Sequence, residues 1–198
     1  MAANTYLTPE ERTLLESVRV GIAGAGGLGS NCAMHLVRSG VKHITIADFD
    51  VVNESNLNRQ FFFRDQLGQK KVVALKDNLL RIEPDADIRA VDMRLDASSA
   101  QEIFADCGIV VEAFDAVDAK VMLVSAFASS GKKLVTASGL AGWGRSNAMK
   151  VRKMGNIVAI GDGETSVGDG AAPVSPRVGI AAAMQANSVV AMLLEKEL

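Results

Sequence analysis

The segment at residues 24–29, Gly-Ala-Gly-Gly-Leu-Gly, has the composition of a turn that binds phosphate groups. It follows a β-branched run and opens a helical pattern, which is the setting of a strand–turn–helix phosphate site. In such a turn, Gly24 permits the tight bend and Gly26 lets the backbone approach a phosphate. Gly29 allows close packing of helix on strand, and amides at the helix N-terminus face the anion. Asp48 ends the next apolar run, where a carboxylate can bind the hydroxyl pair of a ribose. The pattern predicts a nucleotide site, with NAD or FAD as the leading ligands on this motif alone; the alternative is a purely structural turn.

A polar segment just beyond Asp48 indicates a ligand with more negative charge than a dinucleotide. Its candidate ligand-binding side chains are Asp50, Ser55, Asn56, Asn58, Arg59 and Gln60. An arginine among several amide side chains suits a triphosphate, because guanidinium and amide groups donate hydrogen bonds to phosphate oxygens. Lys71, at the start of the next helical pattern, would supply a second cation. Its alternative role is that of a solvated lysine at a helix start, and Lys70 beside it makes the choice harder.

Asp115 follows a later strand pattern and is expected at the same edge of the sheet, because open α/β sheets bind ligands at the carboxyl ends of their strands. A carboxylate among phosphates is a candidate Mg²⁺ ligand, since Mg²⁺ takes one or two carboxylates together with phosphate oxygens and waters. The alternative role is the N-cap of a helix that begins at residue 116, and both roles can hold together. The candidate catalytic residues are therefore Arg59, Lys71 and Asp115.

The elements that must position these residues alternate between short β-branched runs and longer helical patterns. This alternation predicts an α/β fold that is Rossmann-like and doubly wound, with a mostly parallel sheet and helices on both faces. We expect strands at residues 18–23, 43–48, 88–91, 108–112 and 133–138. We expect helices at residues 28–39, 71–82, 98–106, 116–129 and 177–196, and a hairpin from residues 147–153 and 156–160.

The length of 198 residues predicts a single nucleotide-binding domain over residues 1–198. Its parts are an N-terminal lead-in (1–17), a Rossmann-like core (18–138) and an extension (139–198) with glycine-rich loops, the hairpin and the final helix. Two loops of the extension are notable: residues 139–146 are rich in glycine, and residues 161–173 are expected to form a mobile acidic loop. The final helix, rich in Ala and Met, either packs in the core or presents one face to another subunit.

Composition excludes several classes of function. With 48% hydrophobic residues the chain is expected to be globular and not disordered. Its 21 Lys and Arg against 23 Asp and Glu give a net charge of −2, which offers no basic excess for general binding of nucleic acid or acidic membranes. The N-terminal segment carries Glu10, Glu11 and Glu16 and lacks the apolar core of a signal peptide. We therefore expect a cytoplasmic protein that binds neither nucleic acid nor membrane.

Cysteines and histidines are too few and too scattered for a metal centre of their own. Cys32 and Cys107 form no CxxC pair, which excludes a disulfide framework and a zinc site. His35 and His43 are the only histidines, so a His-rich site is excluded too. We expect both cysteines to be buried thiols of the core.

Several short segments, in this order and at these intervals, resemble the ThiF/MoeB/ubiquitin-activating superfamily: GAGGLGS, ADFD, SNLNRQ, GQKK, FDAVDAK and the closing APVSPRVGIAAAMQANSVVAMLL. The segments ASGLAGWG and GDG are most similar to the short type of ThiF, the sulfur-carrier adenylyltransferases. The resemblance implies a homodimer that uses ATP and Mg²⁺ to adenylylate the C-terminal Gly-Gly carboxylate of a ubiquitin-like sulfur carrier protein, releasing pyrophosphate, in thiamine thiazole biosynthesis. By position, it implies nucleotide contacts for Gly27 and Asp48, phosphate contacts for residues 55–59 and Lys71, and Mg²⁺ binding for Asp115.

The residue types suit that chemistry, because a carboxylate is already ionised at neutral pH and needs no general base. The barrier is the repulsion between carboxylate and triphosphate, which Arg59, Lys71 and Mg²⁺ would neutralise. The sequence also departs from the family. The paired CxxC zinc ligands are absent, Ala116 replaces the usual Asn and Lys120 the usual Arg, and Arg12 is the candidate for an arginine that reaches the partner subunit's ATP.

No cysteine follows residue 138, so we expect the chain to form the acyl-adenylate without a covalent thioester or persulfide of its own. Three alternatives remain. The same half-reaction could act on another carboxylate, that of a molybdopterin carrier, a tRNA or a peptide. An NAD(P)-dependent oxidoreductase would suit the glycine turn but lacks a hydride-transfer constellation. The third alternative is a nucleotide-binding regulator without turnover.

Overall fold

The computed structural model of the chain describes residues 6–166 and 170–198, and its centre is a seven-stranded sheet in the order β3-β2-β1-β4-β5-β7-β6. The strands are β1 Arg19–Ala23, β2 His43–Asp48, β3 Asp87–Asp92, β4 Ile109–Glu112, β5 Lys133–Ala137, β6 Lys150–Met154 and β7 Ile157–Gly161. The helices are α1 Pro9–Ser17, α2 Gly27–Ser39, α3 Lys71–Leu80, α4 Ala97–Ile103, α5 Val117–Ala128 and α6 Ser175–Leu193. Every neighbouring pair of strands is parallel except β6 with β7.

Burial on both faces explains why the central strands are nearly continuous apolar runs. In β1, Ile22 faces a core shared with α2, α3 and α6, whereas Ala23 faces a core shared with α4 and α5. In the neighbouring β4, Val111 belongs to the first of these cores and Val110 to the second. The predicted Rossmann-like, doubly wound α/β fold with helices on both faces is confirmed.

The chain order of the strands reverses between β1 and β4, because β2 and β3 extend the sheet to one side of β1 and β5 extends it to the other. Loops that leave the carboxyl ends of β1 and β4 therefore diverge to opposite faces and leave a crevice between them. Open α/β sheets bind their ligands at such a switch point. The loop after β1 is the glycine turn at residues 24–29, and the loop after β4 holds Asp115.

Most predicted elements lie where the pattern indicated, with ends displaced by at most three residues. The hairpin of the extension is confirmed as β6 and β7, which pair antiparallel. The lead-in at residues 1–17 contains a helix that we did not predict, α1, although Thr8 and Glu11 form a capping box and Pro9 occupies its first turn. Residues 167–169 of the expected mobile loop lie outside the described residues. Within the described ranges, no helix is long and apolar enough to cross a membrane.

Candidate active site

A cleft of about 900 Å³ opens at the carboxyl edge of the sheet, at the switch point. The turn after β1, the loops after β2, β3, β4 and β5, and the first turn of α6 contribute to its walls. Nine of the predicted site residues line it: Gly24, Gly26, Gly27, Asp48, Asp50, Arg59, Gln60, Lys71 and Asp115. The structure therefore brings together glycines, cations and carboxylates that are up to 91 positions apart in the sequence.

The glycine turn has the close backbone approaches that its sequence predicts. Gly24 adopts a positive φ of 102°, and a Cβ there would lie 2.9 Å from the carbonyl oxygen of Ala113. At Gly29 a Cβ would overlap the carbonyl oxygen of Gly24, so this glycine serves packing and does not line the cleft. Helix α2 begins at Gly27 without a side-chain cap. Its first turn can therefore donate backbone hydrogen bonds to an anion in the cleft.

Asp48 fixes the conformation of the glycine turn. Its Oδ2 accepts a hydrogen bond of 2.6 Å from the backbone N–H of Ala25, and its Oδ1 accepts one of 2.8 Å from that of Asp50. A carboxylate offers about four lone-pair sites, so capacity remains for a pair of ribose hydroxyls. Sequence reasoning assigned Asp48 a ribose contact and did not foresee that it also orders the turn.

Arg59 is held in place by the polar segment around it. Its Nη1 donates to the carbonyl oxygen of Ser55 at 3.2 Å and to Oδ1 of Asn58 at 2.8 Å. Its carbonyl oxygen accepts a hydrogen bond of 2.9 Å from Nδ2 of Asn31 on α2. Among the residues that the structure describes, no carboxylate lies within salt-bridge distance of this guanidinium. The charge of Arg59 is thus oriented but not neutralised.

Ser55, Asn56 and Asn58 do not line the cleft, unlike their prediction as ligand-binding residues. Ser55 and Asn58 instead accept the hydrogen bonds that orient Arg59. Asn56 accepts a hydrogen bond of 3.0 Å from the backbone N–H of Asn53, within a short 3₁₀ turn. The amide oxygens of Asn56 and Asn58 are thus engaged locally, in part because a tight turn uses polar side chains to satisfy its own backbone, and Ser55 contributes its backbone carbonyl oxygen.

Lys71 is not the solvated lysine of the alternative interpretation. Its side chain is only 7% exposed, and its Nζ lies 2.8 Å from Oδ2 of Asp50. Backbone contact reinforces the pair, since the N–H of Lys71 donates to the carbonyl oxygen of Asp50 at 2.9 Å. The ion pair reduces the net charge that Lys71 brings to the cleft, so Arg59 is the stronger candidate for a phosphate contact.

Gln60 is a buried side chain at the cleft with an unsatisfied acceptor. It is 8% exposed, and its Oε1 has no hydrogen-bond partner among the described residues. The other end of the amide, Nε2, lies 3.7 Å from where a Cβ of Gly26 would stand. A buried polar atom without a partner costs about 1–3 kcal/mol. A ligand that donates a hydrogen bond beside the glycine turn would remove that cost.

Asp115 is exposed at the mouth of the cleft. The alternative role as N-cap is wrong, because the N-cap of α5 is Ala116 and no side chain caps that helix. The described residues contain no cluster of three or more His, Cys, Asp or Glu that could hold a metal without help. Any cation at Asp115 would therefore need ligands from outside this protein, such as phosphate oxygens and waters.

Glu112 and Lys120 form an ion pair below Asp115 that sequence reasoning missed. Glu112 is fully buried, and both its carboxylate oxygens lie 3.0 Å from Nζ of Lys120. Thr136 and the backbone N–H of Phe114 also donate to this carboxylate, at 2.6 and 2.7 Å. The network binds the loop that carries Asp115 to β5. No repeat pattern predicts the pair, because it joins the last residue of β4 to a residue of α5 across a loop.

Arg94 is a further cation in the cleft that was not predicted. It follows the carboxyl end of β3 and stacks over the ring of Phe49 at 4.0 Å. The only available signal was its position, because residues after the carboxyl end of a parallel strand reach the ligand edge. Arg12, considered for a partner subunit's ATP, lies on α1 and does not line this cleft.

Both cysteines are buried in the core, as predicted. Burial raises the pKa of the Cys32 thiol to about 12. Burial also raises the pKa of the Cys107 thiol to about 11, with a further contribution from the negative charge of Asp106. Neither thiol lines the cleft, and neither forms a thiolate readily at neutral pH.

A sequence model of the ThiF family matches residues 3–198. The chain belongs to the ThiF family. This ThiF-family chain is 35% identical over 127 residues to the adenylyltransferase and sulfurtransferase UBA4 of Eremothecium gossypii, a match that covers 64% of this chain and 29% of that protein. It is 36% identical over 115 residues to the molybdopterin-synthase adenylyltransferase of Salmonella typhimurium, covering 58% of this chain and 46% of that protein. The chain thus spans less than half the length of the curated relatives that it matches.

The fold is also similar to solved structures. The E. coli tRNA N6-threonylcarbamoyladenosine dehydratase, TcdA, in complex with ATP superposes with a TM-score of 0.87 at 19% sequence identity. The match covers 94% of this chain and 90% of that chain. At this level of identity the similarity establishes the shared fold.

Proposed function

We propose that this ThiF-family chain is an ATP-dependent adenylyltransferase that acts on the C-terminal Gly-Gly carboxylate of a small ubiquitin-like sulfur carrier, within thiamine thiazole biosynthesis. The observation that carries the proposal is the cleft, which combines a glycine turn, an oriented arginine without a carboxylate partner among the described residues, and Asp115. No His or Cys is among its described lining residues. This composition supports positioning and electrostatic chemistry over covalent catalysis. The relatives named as adenylyltransferases support it further.

Each residue has a part in that reaction. Gly24, Gly26 and Gly27 admit the phosphates to the backbone amides of α2, and Asp48 binds the ribose. Arg59 neutralises the charge that grows on the departing pyrophosphate, because it lines the cleft and its guanidinium is held in place without a described carboxylate partner. Lys71 also helps to neutralise the phosphate charge, but its contribution is smaller because it is paired with Asp50. The attacking carboxylate is ionised at neutral pH, so no proton has to be removed.

The residues present also fit a magnesium ion that accompanies the nucleotide. Asp115 is an exposed carboxylate at the mouth of the cleft, and Mg²⁺ characteristically combines one or two carboxylates with phosphate oxygens and waters. When bound, Mg²⁺ would neutralise phosphate charge. Asp115 would hold it, and the Glu112–Lys120 pair would keep the loop of Asp115 in place.

We further propose that the carrier's tail enters between the loops at residues 139–146 and 161–173, because residues 139–141 and 163–166 of these loops line the cleft on the far side of β4 from the glycine turn. The chain would work in the cytoplasm as a homodimer and release or hold the adenylate without a covalent link of its own. Burial of both thiols supports the last point, since a thiolate nucleophile needs exposure and a lowered pKa.

Pyrophosphate exchange with ATP and candidate carriers tests the proposal. We expect exchange with a thiamine-type carrier ending in Gly-Gly and none with the same carrier lacking its last residue. Asp115→Ala should abolish exchange in a folded protein, whereas Asp118→Ala, an exposed neighbour outside the cleft, should preserve it. Exchange that persists in Asp115→Ala would remove Asp115 from the mechanism.

Parallel reactions separate the alternatives. Exchange with a molybdopterin carrier, a tRNA or a peptide would reassign the acceptor while retaining the half-reaction. The net charge of −2 argues against tRNA. NADH absorbance would indicate an oxidoreductase, and retention of ATP without any turnover would indicate a regulator.

A further inference from the structure

Asp162 and Arg177 form an ion pair that the proposed chemistry does not use. Their side chains are 1% and 3% exposed, which makes this the most deeply buried ion pair that includes an arginine in the described part of the chain. Asp162 follows β7, and Arg177 lies in the first turn of α6. The two residues therefore join the extension's hairpin to its final helix.

The position of Arg177 is unfavourable for its own helix. A positive charge near a helix N-terminus opposes the helix dipole, and Nε of Arg177 has no hydrogen-bond partner among the described residues. Buried ion pairs contribute little net stability, because desolvation offsets the attraction. A cation at a helix N-terminus contradicts the local preference of the helix, and such departures are expected where the residue has a role other than stabilising its own helix.

The contacts of the pair indicate that task. Nη1 of Arg177 donates to the carbonyl oxygen of Gly144 at 2.6 Å, within the loop at residues 139–146. Asp162 accepts hydrogen bonds from the backbone N–H groups of Glu164 and Thr165, at 2.8 and 2.9 Å. The ion pair thus connects both loops, which also contact each other through the backbone hydrogen bond from Asp162 to Gly139 and the Arg145–Glu164 ion pair. The loops follow β5 and β7, on the far side of β4 from the glycine turn. Burial raises the pKa of Asp162, but these hydrogen bonds and the charge of Arg177 outweigh it, so the pKa is lowered and the carboxylate stays ionised.

The first turn of α6 also touches the nucleotide side of the cleft. Val178, next to Arg177, lines the cleft, and its Cγ1 lies 2.9 Å from where a Cβ of Gly27 would stand. Gly163 and Glu164, in the loop after β7, line the cleft as well. Helix α6 therefore contacts the glycine turn through Val178 and the two loops through Arg177.

We propose that the Asp162–Arg177 pair is a positioning device that holds the loops at residues 139–146 and 161–166 at a fixed place relative to the glycine turn, and so controls use of the acceptor and not binding of ATP. The expected effect on use of the acceptor rests on the adenylyltransferase function proposed above. Neither residue is catalytic, because both are buried behind the loops that they hold.

The test replaces Arg177 by an apolar side chain of similar length, Arg177→Met. Arg19→Met is the matched control, because Arg19 is also mostly buried and ion-paired but does not line the cleft. It is the first residue of β1 and so lies at the amino ends of the strands, whereas the cleft lies at their carboxyl ends. Arg177→Met should raise KM for the acceptor by about tenfold or more, because a misplacement of about 1 Å at a reacting centre costs on the order of 10²-fold. The Kd for ATP, measured by calorimetry, should stay within about threefold of the wild type.

Two readouts do not depend on the proposed function. Trp143, the chain's single tryptophan, lies in the loop beside Gly144, so its fluorescence anisotropy should fall in Arg177→Met and not in Arg19→Met. Trypsin should cleave after the exposed Arg145 faster in Arg177→Met, with the fragments identified by intact mass. If the wild type adenylylates no acceptor while anisotropy and cleavage both change in Arg177→Met, the proposed function is wrong but the positioning role of the ion pair is supported.

Unchanged anisotropy and cleavage in folded Arg177→Met would overturn the proposal. A rise in KM for the acceptor that is matched by an equal rise in Kd for ATP would also overturn it, because equal rises would indicate general loosening of the fold. If Arg177→Met does not fold, Asp162→Asn decides by the same measurements, since the amide oxygen still accepts hydrogen bonds from Glu164 and Thr165 while the charge is removed.

Discussion

Substitution of Arg59 by alanine should separate activity from stability. The guanidinium is oriented by the carbonyl oxygen of Ser55 and by Oδ1 of Asn58, and no described carboxylate neutralises it. Its removal therefore leaves no buried anion without a partner. Arg59→Ala deletes the charge of a residue that lines the cleft and disturbs little else.

The expected magnitudes differ accordingly. Removal of one preorganised contact to developing charge costs about 3–4 kcal/mol of transition-state stabilisation, or about 10²–10³ in rate. The free energy of unfolding should fall by only about 0.5–1.5 kcal/mol, because the lost contacts amount to one or two half-exposed hydrogen bonds. Pyrophosphate exchange should thus almost disappear in a protein that unfolds near the wild-type urea concentration.

Arg64→Ala is the matched control. Arg64 lies five positions further along, is 80% exposed and pairs with Glu54 outside the cleft. Its removal should change exchange by less than about twofold, since exposed ion pairs contribute little. Exchange in Arg59→Ala within about threefold of wild type would refute the reasoning, as would an equal loss in Arg64→Ala.

Three further predictions concern other parts of the chain. Asp48→Ala should weaken ATP binding and also lower kcat, because the ribose contact acts alike in ground and transition states whereas loss of the hydrogen bonds from Ala25 and Asp50 disturbs the glycine turn; calorimetry beside exchange kinetics measures both, and an unchanged Kd would contradict it. Replacement of Cys32 and Cys107 by Ser should cost about 1–3 kcal/mol of stability per buried hydroxyl yet leave adenylate formation intact; a reducible carrier adduct of the wild-type chain that this variant loses would overturn the non-covalent assignment. Burial, with a smaller effect of Arg38, lowers the pKa of His35, so the unfolded chain binds more protons and stability should fall as pH drops through about 6.5, the unfolded value. His35→Gln should flatten the free energy of unfolding between about pH 7 and about pH 5, and an unchanged pH profile would exclude His35 as the cause.

Local patterns were sufficient to predict the elements of the sheet. Residues 43–48 form β2 as expected, because an apolar run bounded by polar residues matches a strand buried on both faces. The glycine turn could also be predicted from the sequence, because the close backbone contacts at Gly24 and Gly29 leave no room for a Cβ and so require glycine at both positions. Helix α1 was missed although its capping box was present in the sequence.

The pairings at the site could not be predicted, because they join residues whose distance depends on the completed fold. Lys71 and Asp50 meet only when α3 begins beside the end of β2, and that contact turned an expected free cation into a neutralised one. The same holds for Asp162 and Arg177, which join a loop to a helix start. Ser55, Asn56 and Asn58 were predicted to bind the ligand, but they do not line the cleft, because the atoms that they satisfy depend on the turn that they form.

Intact mass of the carrier tests the central claim most directly. The full chain is incubated with MgATP and a ubiquitin-like sulfur carrier ending in Gly-Gly, and the reaction is stopped in acid so that an acyl-adenylate survives. We predict that the carrier gains the mass of one AMP moiety, with release of pyrophosphate, and that Arg59→Ala removes the gain while Arg64→Ala does not. A carrier of unchanged mass while the chain binds ATP tightly, for every Gly-Gly carrier tried, would contradict the account.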